Sequence, residues 1–551
     1  MQHPIDAGVL ALAILLAGVP SRAQWPADGV PLTTSATVPS GYAVVADSSG
    51  GLIAVWSQPV GGQHDIHAMR VTASGVPVWT PGGVPVVTAG FDQVSPSLCQ
   101  DGSGGAIIVW RDQRSGGLDI YAQRVDAHGA LRWTADGVGV CTVSNNQYAP
   151  VVVPDGAGGA IVAWYDFRAL NYDIYAQHLD ANGNALWTGG GIAILAGQYN
   201  QYNPMIVSDG VDGAIVAWVD LRNGNADIFA RRVTGAGTLL WAPSGVALCT
   251  NAFDQLDAAL VSDEAGGAIV AWRDARNGGW DVFAQRVDAG GSTLWPANGA
   301  AVCTAANDQL HHAVACDGAG GAVIAWDDAR GATVDIYAQR MDAVGSALWT
   351  PHGVPLCAAA SNQTRPSVVC DGASGAIVAW EDARAGNTDL YAQRVDAGGL
   401  TQWNADGTAL CTAAGEQVTP LAVADGSGGA VLAWKDSRSG NADLYAHRVD
   451  ASGGTPTGAG GPLRVPGLIV SPGYPNPFAR TIRFDVGAAG AAVTMEVFDA
   501  AGRRVARRAL RGRGLSFDGR DDRGRPLAGG IYFCRFSADG VAVTRKIVLV
   551  R

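Results

Sequence analysis

With 551 residues, 48% of them hydrophobic and only 16% charged, the chain can bury large cores and is long enough for more than one domain. Its net charge of −12 excludes a nucleic-acid partner, because phosphate binding needs a basic footprint. Arg and Asp carry nearly all the charge: Lys435 and Lys546 are the only lysines, and Glu264, Glu381, Glu416 and Glu496 the only glutamates.

Residues 1–23 read as a signal peptide. Ala7 to Gly18 is an apolar core of h-region length, and Ser21-Arg22-Ala23 offers small residues at the cleavage-determining positions. The leading MQHPID lacks the usual Lys or Arg. No other apolar stretch is long enough to span a membrane, so export into solution or onto a surface is expected.

From residue 24 to 454 the chain repeats itself every 54 residues. One tryptophan series is Trp56, Trp110, Trp164, Trp218, Trp272, Trp326, Trp380 and Trp434; a second is Trp25, Trp79, Trp133, Trp187, Trp241, Trp295, Trp349 and Trp403. A period of this length implies a solenoid, propeller or array. Each unit holds four short runs rich in Val, Ile, Tyr and Trp, divided by Gly, Asp and Asn; in the third unit they are PVVVPD, GAIVAWYD, DIYAQHLD and ALW with GIAIL. These predict four antiparallel strands, the content of one propeller blade. The eighth unit stops after Gly454 without its fourth strand, while Gln24 to Thr34 carries that strand's Trp25 at the other terminus. The expected fold is therefore an all-β, eight-bladed propeller closed by a blade built from both ends, with the Trp25 segment added to the edge near Tyr445.

Some charges recur in every unit. Asp47, Asp101, Asp155, Asp209, Asp263, Asp317, Asp371 and Asp425 open a DGxGG-like hairpin, and a second Asp series runs from Asp65 to Asp443. A W-x-D-x-R pattern fills seven units, and Gln58 and Val60 break it in the first. Arg124, Arg286, Arg340 and Arg394 on third strands are expected to reach carboxylates and pin strands together. Cys141, Cys249, Cys303, Cys357 and Cys411 share one place in five outer strands, Cys316 and Cys370 share another, and Cys99 lies beside it. Equivalent points on neighbouring blades are expected to exceed the ~7 Å limit for bridging, so all are read as small apolar fillers, with Cys534 unpartnered.

In a four-stranded meander the first-to-second and third-to-fourth turns share a face, and here they are uniform. The opposite face carries variable loops, the natural place for recognition on a repetitive scaffold. Gln147, Gln201, Gln255, Gln309 and Gln363 persist there, with Gln93 and Gln417, and Tyr165, Phe167, Trp280, His311 and His312 are its irregular aromatic and imidazole groups. These ten, without Gln93 and Gln417, are the candidate binding residues.

Catalysis needs an asymmetric set of groups in defined roles, and no such set is legible. There is no EF-hand run and no HExxH, so neither a metal nor a cofactor is expected. The Asp-box of sialidase-like propellers is absent, since the Asp stands nine residues before the Trp. RVDAGGSTLW (Arg286 to Trp295) resembles the tryptophan-docking motif of eight-bladed quinoprotein dehydrogenases, but it lacks the usual Thr and no Cys-Cys pair exists. That resemblance implies only that the second Trp series packs between blades.

Residues 455–470 read as a Gly/Pro linker, and 471–551 as a small β-sandwich with strands TIRFDV, VTMEVFDA, GIYFCRFSA and VTRKIVLV. YPNPF (Tyr474, Pro475, Asn476, Pro477, Phe478), VFDAAGRRV, FDGRDDRGRPLAGGIYF and TRKIVLVR, which contains Lys546, resemble the C-terminal domain of type IX secretion cargo and the Ig-like domain of flagellar hook-capping proteins. The resemblance implies recognition by the type IX secretion machinery and a place outside the cell or on the outer-membrane surface.

The reading as a whole is a monomeric, surface-associated scaffold that binds a glycan or a surface protein, leaning away from an enzyme but leaving catalysis open. The alternatives are a glycan-acting hydrolase or lyase using the variable face, and a structural surface-layer component. Non-equivalent carboxylates in an axial pocket favour the enzyme; a shallow ring of Asn, Gln and aromatics favours binding.

Overall fold

The computed structural model describes residues 25–33, 38–80, 82–454, 468–470, 481–488, 493–499, 503–510, 514–538 and 541–550. The stretch read as a signal peptide, the YPNPF motif and most of the stretch read as linker lie outside them. All the elements described are β-strands.

Residues 40–449 build seven complete four-stranded antiparallel meanders and three strands of an eighth, each of the propeller-blade type. In the third unit the strands are Gln147–Pro154, Ala160–Asp166, Asp173–Leu179 and Ile192–Leu195. The second strand of every unit is a continuous apolar run, and it is buried on both faces because each sheet is covered by its neighbours. The tryptophans of the first series lie within these strands and are fully buried. The eighth sheet takes Val30–Pro31 as its fourth strand, with Val30 opposite Ala446 and Pro31 opposite Tyr445. The Leu32 amide donates to the Leu444 carbonyl at 2.7 Å, and the Leu444 amide donates to Thr33 Oγ1 at 2.9 Å.

The first strands meet sheet to sheet in cyclic order, and that of the first sheet (Ser40–Ala46) lies against that of the last (Gln417–Ala424). Two further bonds join each sheet to the next. Trp133 Nε1 donates to Ala181 O at 3.0 Å, and Arg124 Nη1 donates to the same carbonyl at 3.2 Å. The equivalents run around the chain: Trp79 and Arg70 to Ala127 O, Trp403 and Arg394 to Ala451 O, and Trp25 and Arg448 to Ala73 O. The last pair links the terminal segment and the eighth sheet to the first.

The repeated charges form networks within each sheet. Asp101 Oδ1 accepts the amides of Ser103 and Gly105, both at 2.8 Å, and Oδ2 receives Arg124 Nε at 3.0 Å. Every unit repeats the cation, with His178 in place of Arg in the third, where it meets Asp155 at 3.0 Å. In the W-x-D-x-R pattern, Trp326 Nε1 donates to Asp328 Oδ2 at 2.7 Å and Arg330 reaches the same carboxylate at 2.6 Å while stacking on Tyr337. Burial alone would raise the Asp328 carboxyl, but these donors outweigh it and hold it below the ordinary range.

The outer cysteines prove to be part of this network. Cys303 Sγ sits 3.7 Å from Asp328 Oδ2 and accepts Arg330 Nη2 at 3.2 Å, and burial pushes its thiol up to about 12. Cys249, Cys357 and Cys411 repeat the arrangement. They are weakly polar members of an Arg–Asp cluster rather than simple apolar fillers. On the inner strands, equivalent positions come into contact because the strands converge. Gln100 Nε2 reaches Ala46 O at 2.5 Å, and Cys316 and Cys370 hold equivalent places on adjacent first strands. The wide separation expected for equivalent cysteines therefore fails for this pair.

The C-terminal residues form two antiparallel sheets. One orders Leu468–Val470, Ile482–Ala488 and Gly514–Phe517; the other orders Arg504–Leu510, Val493–Asp499, Gly530–Ala538 and Val541–Leu549. Leu468–Val470 falls in the stretch read as linker. Ile482, Phe484 and Phe517 of one sheet and Met495, Val497, Cys534 and Phe536 of the other share a single core, the sandwich arrangement.

Candidate functional site

Each first strand is broken near its start by a bulge, where one extra residue enters against the second strand: pairing jumps from Leu310↔Asp327 to Ala313↔Ala325, and equivalently elsewhere. The extra residue takes the left-handed conformation in every unit, as Gly41, Ser95, Ala149, Asn203, Asp257, His311, Arg365 and Thr419, with φ between 43° and 54°. Seven of these are not glycine, so the fold holds a strained backbone at one repeated place. Bulges of this kind re-aim side chains and gather beside functional sites.

Opposite the bulge stands the residue that follows each buried Trp: Ser57, Arg111, Tyr165, Val219, Arg273, Asp327, Glu381 and Lys435. It is the one irregular letter in an otherwise repetitive strand. In the fifth to seventh units the two positions form ionic pairs, and those of the sixth and seventh are linked to each other. Arg273 Nε meets Asp257 Oδ2 at 2.8 Å, and His311 Nδ1 meets Asp327 Oδ2 at 2.7 Å. Arg365 Nε lies 3.9 Å from Glu381 Oε1, and its amide donates to Asp327 Oδ2 at 3.3 Å. Glu381 Oε1 in turn accepts the Thr419 amide at 2.6 Å, and the Tyr42 hydroxyl donates to the Thr419 carbonyl. The cluster thus steps from sheet to sheet along the inner strands.

In the sixth and seventh units the acids differ from the cations in exposure, while in the fifth the order is reversed, with the Asp257 side chain 62% and that of Arg273 25% exposed. Asp327 and Glu381 are 3% and 8% exposed, whereas the side chains of His311 and Arg365 are 45% and 52% exposed. In the sixth and seventh units buried carboxylates thus orient cations that face solvent. Burial raises the Glu381 carboxyl, a shift that the Thr419 amide and Arg365 only partly offset.

A second, aromatic group occupies the third sheet. Tyr148 and Tyr165 stack at 5.1 Å, Tyr172 meets Tyr165 edge-on at 5.2 Å, and Phe167 lies 5.0 Å from Tyr172. Trp280 carries the Arg273 guanidinium 4.4 Å above its ring. Of the residues expected from sequence, the structure therefore joins Tyr165 to Phe167 through Tyr172, sets Trp280 beside the Arg273–Asp257 pair, and pairs His311 with Asp327.

The persistent glutamines belong elsewhere. Gln147, Gln255, Gln309 and Gln363 are fully buried and Gln201 nearly so. The Gln147 amide donates to Asn145 O at 3.1 Å and that of Gln309 to Asn307 O at 3.0 Å, clamping the preceding loop from inside. They recur because the loop needs an internal donor, so they are not part of a recognition surface. His312 likewise turns inward: its Nε2 bonds Ala271 O of the adjacent sheet at 3.1 Å, and burial pushes its pKa down to about 4. Lys546 lies on the last strand, in register with Phe533. Among the described residues, no group of three or more His, Cys, Asp or Glu is placed to hold a metal ion, and no helix is long and apolar enough to cross a membrane.

Sequence reasoning missed Asp257, Arg273, Asp327, Arg365 and Glu381. The usable signal was their position: the letter after Trp and the second letter after the persistent Gln are where units disagree.

Residues 473–550 match the family described as the secretion system C-terminal sorting domain. No curated protein matches the chain. Among solved structures it is similar to a polysaccharide lyase, an ulvan lyase bound to -[GlcA(1-4)Rha3S]-, at 10% identity over 68% of this chain and 96% of that one, with a TM-score of 0.42. It is also similar to PorZ, a bacterial surface component of the type-IX secretion system of Porphyromonas gingivalis, at 10% identity over 94% and 82% of the two chains, with a TM-score of 0.26. A Dyadobacter fermentans protein of unknown function is similar at 12% identity over 55% of this chain and 95% of that one, with a TM-score of 0.32. The chain carries a type IX sorting domain at its C-terminus, and so is exported to the outer-membrane surface or the extracellular space.

Proposed function

We propose that the eight sheets close into a propeller whose inner opening on the variable face binds a charged glycan at the cell exterior. The pairing of Val30 with Ala446 and the contact between the first and last inner strands support closure. One observation carries the binding reading: the eight units differ most at the bulge and after the Trp, and in three consecutive units those residues form oriented pairs. His311 and Arg365 offer donors suited to carboxylates and ring hydroxyls, because guanidinium recognises such groups in a planar, bidentate way. Tyr165 and Trp280 add flat apolar faces of the kind on which sugar rings stack.

The test is a glycan array probed with the full chain, followed by calorimetry on the strongest hit. Arg365→Ala and His311→Ala are expected to weaken binding at least about tenfold, or ~1.4 kcal/mol. Unchanged affinity in both variants would sink the reading, and capture of a surface protein alone would move the ligand class.

A glycan-acting enzyme is the second reading, and the His311–Asp327 pair favours it, since a carboxylate-oriented imidazole can act as a general base. Glu381, raised by burial, is the group that would hold a proton beside it. Release of shorter chains from a bound glycan, abolished in His311→Ala, would select this reading over simple binding.

A further inference from the structure

Cys316 closes the first strand of the sixth unit (Gln309–Cys316), and Cys370 closes that of the seventh (Gln363–Cys370). The two strands lie side by side. Side chains at this position bridge neighbouring units: in the second unit, Gln100 Nε2 reaches the carbonyl of its equivalent, Ala46, at 2.5 Å, and Gln100 Oε1 accepts Ser48 Oγ at 2.9 Å. Cys316 repeats the second of these contacts, with its Sγ 3.5 Å from Glu264 Oε1. On its other side lies the adjacent first strand, which carries Cys370 at the equivalent place. Neither residue is buried as deeply as the outer-strand cysteines, so both are open to small reagents. The exported compartment reached through the sorting domain is one where disulfides form and persist.

We propose that Cys316 and Cys370 are a disulfide-forming pair that covalently staples the sixth and seventh sheets at their inner strands. Each thiol shifts the other: Cys370 is the more acidic, lowered to about 7, and Cys316 is raised. The Cys370 thiolate attacks one sulfur of an external disulfide, and the other sulfur leaves as a thiolate. Cys316 then loses its proton and attacks the Cys370 sulfur of the mixed disulfide, expelling the second thiolate. The two cysteines give up two electrons and two protons, and the external disulfide takes them as two thiols. The staple joins the two strands that present His311 and Arg365 at their opposite ends, but it does not depend on the binding reading.

The experiment treats the full-length folded protein with oxidised glutathione, alkylates it, and maps peptides by mass under non-reducing conditions. The expected product is one peptide pair linked through Cys316 and Cys370, lighter by two hydrogens and released by dithiothreitol. Its thermal unfolding midpoint should rise above that of the reduced protein. In Cys316→Ser the remaining Cys370 should retain a single glutathione adduct. If the folded wild-type protein keeps both thiols alkylatable, or carries glutathione separately on each, the proposal is wrong. Because the decisive measurement is made on the unaltered chain, a variant that fails to fold leaves it intact.

Discussion

Arg438 Nη2 donates to the backbone carbonyl of Asp28 at 2.8 Å, although 410 residues separate them in the chain. Arg384 makes the same bond to Asp406 O, also at 2.8 Å, inside the seventh unit. A segment from the far N-terminal side therefore supplies to the eighth sheet what each other unit supplies to itself. The Arg–Asp–Trp network treats it as a fourth strand in every respect.

That relationship makes Gly29→Ala a test of closure. Gly29 has φ of 83°, and a Cβ there would lie 2.6 Å from both Trp434 Cη2 and Ala446 O. The substitution should cost about 1–3 kcal/mol in urea unfolding, the usual range for overpacking a tight site. Gly137→Ala, with φ of 87° and Trp110 Cη2 at 2.5 Å, is the internal standard and should cost a similar amount. A silent Gly29→Ala beside a damaging Gly137→Ala would mean that the terminal segment is not docked in solution.

The third unit should respond to pH differently from the rest, because His178 stands where seven units have Arg. Burial alone would lower His178, but its bonds to Asp155 and Gly235 O outweigh that and raise it. A raised histidine contributes stability that is fully present below its ordinary pKa of about 6.5 and is lost as pH rises through its folded value. His178→Arg keeps the charge throughout, so it should gain on wild type between pH 6 and pH 9, by on the order of 1 kcal/mol. Urea midpoints that shift equally at both pH values would contradict this.

Glu381 predicts the opposite sense for a carboxylate. Because burial raises its pKa, its stabilising contribution is present below the ordinary carboxylate range and is lost as pH rises through the folded value. Glu381→Gln, which can still accept the Thr419 amide, should therefore be more stable than wild type at pH 7 by about 1 kcal/mol. The advantage should vanish near pH 4. Thermal melts across that interval are the check, and a variant destabilised at pH 7 would show that the ionised carboxylate is needed by Arg365 and Thr419.

Removing residues 473–550 should leave the folded repeat region inside the cell envelope, since these residues match the sorting domain. Fractionation of cells that possess a type IX system gives the readout. Surface exposure of the truncated chain would assign export to another segment.

Much of the scaffold was legible before folding. The strand order, the turn chemistry of Asp101 and its equivalents, and the Arg124–Asp101 pair follow from local period and from groups within one unit. The glutamines misled because a polar residue in a variable loop can face solvent or turn in to satisfy carbonyls, and only the path of the loop decides. Gln147 turns in. The ionic pairs of Asp257, Asp327 and Glu381 were hidden for a related reason: each acid sits in a different unit, at or opposite a bulge that strand periodicity does not announce.

The amino-acid pattern by itself determined eight near-identical units, the division of one unit between distant segments, and an exported address, because apolar alternation and turn residues act over a few neighbours. Only the tertiary structure decided which irregular residues meet. The bulge sets His311 against Asp327 within one sheet, and convergence of the inner strands brings Arg365 to Asp327 and the strand of Cys316 to that of Cys370, because positions far apart along the chain become lateral neighbours once the sheets pack side by side.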